Sequence, residues 1–284
     1  MRGIQEAEPG SVGGPAAADA VKANLFRLWE HRDLPDLAWR PDGAGGRHLL
    51  VGRHALVREI LADPETYRPD NALDAMTPIP VAAMRVLVRH GFRLPPTLAN
   101  NGTPTHPGIR ALVAEALHPQ RVAAQRSWLT GLVRRRTAGI AARLRAGEPV
   151  DLYADLAADL PLLVLARMVA LPAGDAATVK RFSRAALELF WAPVDEARQR
   201  YLAGVVGEFH TVLRRFAATG PGLVAAMRAR GHRTDEVTGA LFFLLVAGQE
   251  TTSQFLTLLL HRLAVSPTTA PADSVVRAAQ AMQV

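Results

Sequence analysis

Apolar residues run without a break from Ala240 to Ala247 and resume at Phe255, Leu256 and Leu258 to Leu260. A helix that is apolar all round belongs in the centre of a domain. Yet the middle of this stretch reads Gly248-Gln-Glu250-Thr251-Thr-Ser253, a carboxylate and hydroxyls at core depth. Burying an acid costs several kcal/mol unless it is hydrogen-bonded or neutralised, and a helical Gly costs roughly 1 kcal/mol against Ala. On a helix, the Thr251 hydroxyl can bond back to the carbonyl of Ala247 and loosen the ladder. Gly248 leaves the backbone open to close approach. The expected result is a local groove with a carboxylate and a hydroxyl beside it, suited to binding a small polar species and moving protons to it. A second reading stays open: a core helix whose polar turn sits at a domain edge. The apolar run is far shorter than the roughly 20 residues of a membrane span.

The rest of the chain supplies helices around that centre. Residues 1–20 read as a disordered, Gly/Ala/Pro-rich tail with no secretory pattern, and 21–284 as one domain. Val21 to His31 has the apolar spacing of a short helix. Leu37 to Arg40 and His48 to Val51 read as a β-hairpin across a Gly-rich turn. A helix over Gly52–Ala62 stops at Asp63-Pro64. The proline-bracketed stretch from Asn71 to Asn101 reads as a long, partly ordered connection, and such connections often serve as lids. Helices are predicted at 125–146, at 152–171 with Asp151 as N-cap, and at 176–190, 194–218 and 222–229. The central helix runs from Asp235 to about Leu263, roughly 40 Å at 1.5 Å per residue. Another helix begins at Ser274. The fold class is mainly α with a small N-terminal hairpin.

Composition narrows the chemistry. With no Cys, the chain offers no disulfide, thiolate ligand or Cys nucleophile. The net charge is +7, and all basic residues but Lys22 and Lys180 are Arg. These Arg are interleaved with acids along helices, without an aromatic-basic motif, so solvated helix faces are favoured over nucleic acid. With neither a secretory leader nor a membrane span, a cytoplasmic location is expected.

A second constellation opens the helix after Gly102. His106 and Arg110 lie four residues apart and share a helix face, with Pro107 suited to the first turn. They could bind an anion together. Spacing alone equally accommodates a His at a helix start beside a solvated Arg.

Ala247-Gly248-Gln249-Glu250-Thr251-Thr252 resembles the central-helix signature of the cytochrome P-450 family, haem-thiolate monooxygenases. Three further features are similar: the hairpin leading to Asp63-Pro-Glu-Thr-Tyr67, His106-x-x-x-Arg110 followed by Leu112-Val-Ala-Glu-Ala-Leu-His-Pro119, and Leu160-Pro161 with Ala170-Leu-Pro172. The resemblance covers about Leu37 to Leu263. It implies that His106 and Arg110 hold a haem propionate and that Ala247 and Gly248 face the haem. It assigns Thr251 to hydrogen-bonding dioxygen there, Glu250 to relaying protons, and Phe243 and Val246 to facing a small apolar substrate. A ferredoxin-type electron donor is implied as partner.

The resemblance stops short of two family features. Beyond Leu263 there is neither a Glu-x-x-Arg helix nor the Cys whose thiolate ligates iron. The chain is therefore expected to be the front part of such a monooxygenase, inactive alone. The alternatives are a haem-less relative that activates a partner such as a glycosyltransferase, or a helical binder of apolar ligands.

Overall fold

The computed structural model describes residues 36–41, 47–70, 78–172, 176–192 and 194–265. The expected tail, the helix at 21–31, the glycine-rich turn at 42–46 and the helix from Ser274 lie outside the described residues. The chain divides into two compact units between Pro78 and Ile79.

In the first unit, β1 (Leu37–Pro41) and β2 (Arg47–Val51) pair antiparallel, with Leu37 opposite Val51 and Trp39 opposite Leu49. The Arg47 guanidinium lies 4.9 Å from the Trp39 ring centroid, a cation–π contact across the hairpin. Helix α1 (His54–Ala62) follows and ends at Asp63, whose Oδ1 accepts the Thr66 amide at 3.1 Å. One Glu-x-x-Arg spacing does occur here, Glu65 to Arg68. It lies in a turn, with Arg68 paired to Asp70 at 2.7 Å, so it is not the helical pair of the family pattern.

The second unit is helical: α2 (Val81–Arg89), α3 (His106–Ala116), α4 (Pro119–Ala123), α5 (Arg126–Arg145), α6 (Leu160–Met168), α7 (Ala176–Trp191), α8 (Glu196–Thr219), α9 (Leu223–Ala229) and α10 (Thr234–Val265). Among the described residues no helix is long and apolar enough to cross a membrane.

Three elements differ from the sequence expectation, the shortest being α4, where no helix is expected. The stretch read as a loop contains α2, because Pro80 occupies its N-cap rather than breaking it, and Ala83 and Leu87 give it a buried face at helical spacing. The single helix expected over 152–171 is broken. Asp151 caps as predicted, its Oδ1 accepting the amides of Tyr153 and Ala154 at 2.9 and 3.2 Å. The chain then makes a π-helical turn, Tyr153–Ala157, and restarts as α6 with Pro161 in its first turn. Pro161 has no amide to continue the ladder. The break leaves the Ala158 carbonyl to side chains: Ser253 donates to it at 2.9 Å, and Lys180 Nζ donates as well. At the far end of α6, Ala170 takes φ 57°, a left-handed conformation that costs a residue with a Cβ about 1–2 kcal/mol.

Helix α10 runs through the core as its sequence required. Ala240, Leu241 and Leu245 are fully buried, and Phe242 and Val246 nearly so. Phe242 is the hub of an aromatic cluster, with ring centroids 5.6 Å from Phe209, 5.8 Å from Phe92 and 6.5 Å from Phe190. After Ser253 burial declines: Leu256, Leu259 and Leu260 are half-buried and Leu258 is 46% exposed.

The segment after α2 is fastened to α8 by His210. Gly207 lacks a Cβ that would run into the His90 ring, which lets the segment approach. The His210 ring is 2% exposed, 5.0 Å from the Phe92 ring, with Nε2 3.1 Å from the Arg93 carbonyl oxygen and 3.3 Å from its amide. Burial holds the His210 imidazole below its ordinary pKa, with Arg214 and His90 acting in the same direction and the Arg93 hydrogen bond opposing. The unfolded chain therefore takes up this proton at higher pH than the native one. Stability from His210 is complete above about pH 6.5 and falls as pH drops below it. The urea midpoint should decline from pH 7 to pH 5, and His210→Gln should flatten that decline. An unchanged slope would show that other groups set it.

Candidate active site

The polar turn of α10 presents three faces. Thr251, exposed, donates to the Ala247 carbonyl at 2.7 Å, the back-bond its position predicts. Thr252 does the same to Gly248 O at 2.9 Å, and Ser253 Oγ lies 2.9 Å from Gln249 O. Two consecutive hydroxyls, Thr251 and Thr252, thus engage carbonyls of one helical turn, which weakens the ladder there, while the single Ser253 proton is shared between Gln249 O and Ala158 O.

Glu250 points to a second face and is held inside the protein, with its side chain 16% exposed. Tyr153, from the π-turn, donates its hydroxyl to Oε1 at 3.4 Å. Two cations from α7 flank Oε2: Lys180 Nζ at 3.4 Å and Arg184 Nε at 3.8 Å. Lys180 is 9% exposed and Arg184 half-exposed. Both cations also sit over the Tyr153 ring, 5.5 and 5.6 Å from its centroid, and Arg184 donates to the Tyr153 oxygen. The buried acid that the sequence flagged is thus neutralised by α7 and anchored by the π-turn. Gln249, fully buried beside it, has neither amide atom bonded by protein.

Gly248 lies on the third face. A Cβ there would stand 3.2 Å from Leu165 Cδ2, so the glycine lets α6 pack closely on α10. Gly248 and Thr252 line an apolar cavity of about 330 Å³ with Leu129, Leu165 and Leu256. Ala247 and Phe243 are half-buried, and Val246 is packed in the core.

His106 and Arg110 open α3, with Pro107 in its first turn. Ile109, Val113 and Ala116 form the buried face of this helix. His106 is half-buried at its edge and Arg110 is exposed, and neither forms an ion pair among the described residues.

Sequence reasoning missed Tyr153, Lys180 and Arg184. One signal was available. Lys180 is one of two lysines in a chain that otherwise uses Arg, and the two cations differ in shape and hydrogen-bonding geometry, so the choice of Lys is itself a signal.

No family model matches the chain. Over 145 residues, 48% of this chain, it is 30% identical to cytochrome P-450 monooxygenase DoxA of Streptomyces sp. (strain C5). It spans about a third of that relative's length, 32%. The solved structure of cytochrome P450 CREJ in complex with (4-ethylphenyl) dihydrogen phosphate superposes with a TM-score of 0.71 at 22% identity, over 76% of this chain and 56% of that one. The heme domain of Acinetobacter radioresistens CYP116B5 gives a TM-score of 0.70 at 22% identity, over 90% of this chain and 64% of that one.

Proposed function

We propose that this chain, similar to cytochromes P-450 over part of their length, is of that family, and that residues 79–265 form the distal half of a haem-dependent monooxygenase. The observation that carries this is the division of labour on α10: Glu250 held by Tyr153, Lys180 and Arg184 within the protein, and Thr251 one residue on, facing outward.

The residues present fit one side of a haem. Thr251 leaves a hydroxyl on an exposed face of α10, Gly248 keeps the neighbouring backbone free of a side chain, and His106 and Arg110 offer an imidazole and a guanidinium suited to propionates. They do not fit the iron ligand, since the 284 residues contain no Cys. A thiolate would have to come from outside them. Haem, when bound, supplies the activation of dioxygen. This chain's own part is proton handling. The Thr251 proton is engaged by Ala247 O, which leaves the lone pairs of Oγ1 free to accept a hydrogen bond from water. Glu250 is a carboxylate that can take up a proton when it leaves Lys180 and hand it towards that hydroxyl.

The declining burial of α10 after Ser253 and the apolar cavity beside Gly248 support the reading that further protein covers this face. A small apolar substrate and a ferredoxin-type electron donor belong to the same proposal. So does a cytoplasmic location.

The test uses the chain continued through a relative's Glu-x-x-Arg and Cys segments. Glu250→Gln should slow turnover about 10²-fold, the usual scale for removing a proton-transfer group, and should raise the solvent isotope effect. Turnover unchanged in both rate and isotope effect would make Glu250 a structural ion-pair partner.

A further inference from the structure

A cavity of about 630 Å³ opens between the π-turn, α7 and α8, within the size range of small-molecule sites. Lys180, Arg181, Arg184 and Arg198 line it, with Asp159 and Glu188 as its acids. Those two acids already hold their own arginines. Asp159 is paired bidentately with Arg136, one oxygen at 2.8 Å, and Arg136 keeps its carboxyl below the usual range. Glu188 takes Arg198 through two bonds of 2.8 and 2.7 Å. Three cations remain, Lys180, Arg181 and Arg184; Lys180 also donates to the Ala158 carbonyl and helps to lower the Asp159 pKa, and the one further acid beside them is Glu250. Its contacts to Lys180 and Arg184, at 3.4 and 3.8 Å, are longer than charge-assisted hydrogen bonds of about 2.7–2.9 Å. Arg181 has no ion pair among the described residues and stacks on Phe182 instead, 5.3 Å from its centroid. The wall is thus short of two negative charges. Beside these cations lies the Tyr153 ring, and Ala154, Leu202 and Val205 give an apolar flank.

We propose that this cavity binds a phosphate group, carried free or on a small organic molecule, and that the phosphate competes with Glu250 for Lys180 and Arg184. A phosphate carries about −1.5 to −2 charges at pH 7 and several strong acceptor oxygens, which matches the deficit. A single carboxylate would leave one cation unmet. Because anion and Glu250 share the same partners, occupancy loosens Glu250, and by linkage removal of the Glu250 charge must strengthen the anion. The site stands on its own, independent of the oxygen chemistry proposed above.

The test is calorimetric titration of the 284-residue chain with inorganic phosphate and, separately, with glycerol 3-phosphate at fixed ionic strength. The chain should bind at least one of them in the millimolar range. Binding of inorganic phosphate alone would identify the free ion as occupant, and tighter binding of the ester a phosphorylated metabolite. Arg184→Gln and Arg181→Gln, at exposed or half-exposed positions that folding tolerates, should each weaken binding about fivefold, and Glu250→Gln should tighten it by a similar factor, the scale of one partly screened charge. Arg135→Gln, on the exposed face of α5 and outside the cavity, should leave it unchanged. Absence of binding, equal weakening by Arg135→Gln, or no tightening by Glu250→Gln would each overturn the proposal.

Discussion

Phe242→Ala is expected to lower the unfolding free energy by about 4 kcal/mol, while Phe243→Ala costs less than half of that. Both are phenylalanines at adjacent positions of one helix, and sequence alone ranks them equally. The structure separates them. Phe242 is 3% exposed and touches rings from α7, α8 and the segment after α2, so truncating it opens a cavity that four parts of the chain would have to collapse together to fill. Large-to-small changes at such sites cost about 3–5 kcal/mol, and each lost aromatic pair adds a fraction to that. Phe243 is half-buried, and its neighbours lose less. Chemical denaturation of both variants, with unchanged dependence on denaturant, checks the difference. Equal losses would mean that α10 is rotated from the position described.

In a haem-complete version of the chain, Thr251→Ala should leave electron consumption running while product per electron falls about tenfold, the balance appearing as peroxide. Two things change in that variant. The hydroxyl that can accept a hydrogen bond on the exposed face of α10 is gone, and the Ala247 carbonyl recovers its ordinary ladder partner. Thr251→Ser keeps the hydroxyl and should retain most of the coupling. If Ser and Ala behaved alike, the local helix geometry rather than the hydroxyl would be responsible. Thr252→Ala, which removes only a bond to Gly248 O on the neighbouring cavity wall, should have a small effect.

How much of this was legible in the sequence differs by element. The central helix was, because an apolar run interrupted by Gly-Gln-Glu-Thr-Thr-Ser can satisfy both its apolar and its polar residues only in a core that supplies partners. The hairpin and most helix limits were, since caps, prolines and period carry that information locally. Helix α2 was missed because its four bracketing prolines read as loop, whereas Pro80 is an N-cap. The break at Ala158 is not legible because Leu160-Pro161 within an apolar run reads equally as an internal proline of one helix and as the first turn of a new one. Tyr153, Lys180 and Arg184 could not be found from spacing. They lie 97, 70 and 66 positions from Glu250 in the chain and meet it only through the packing of α7 and the π-turn on α10.

The central claim, that these residues form the distal half of a haem site, is tested most directly by haem content. The chain, continued through the Glu-x-x-Arg and Cys segments of a relative, is reconstituted with haem, and the reduced carbonyl complex is recorded beside that of the His106→Ala/Arg110→Ala double variant. The account predicts stoichiometric haem with the red-shifted Soret band of thiolate ligation, and a marked loss of retained haem in the double variant. A protein that holds no haem, or a double variant that holds as much as its parent, would contradict it.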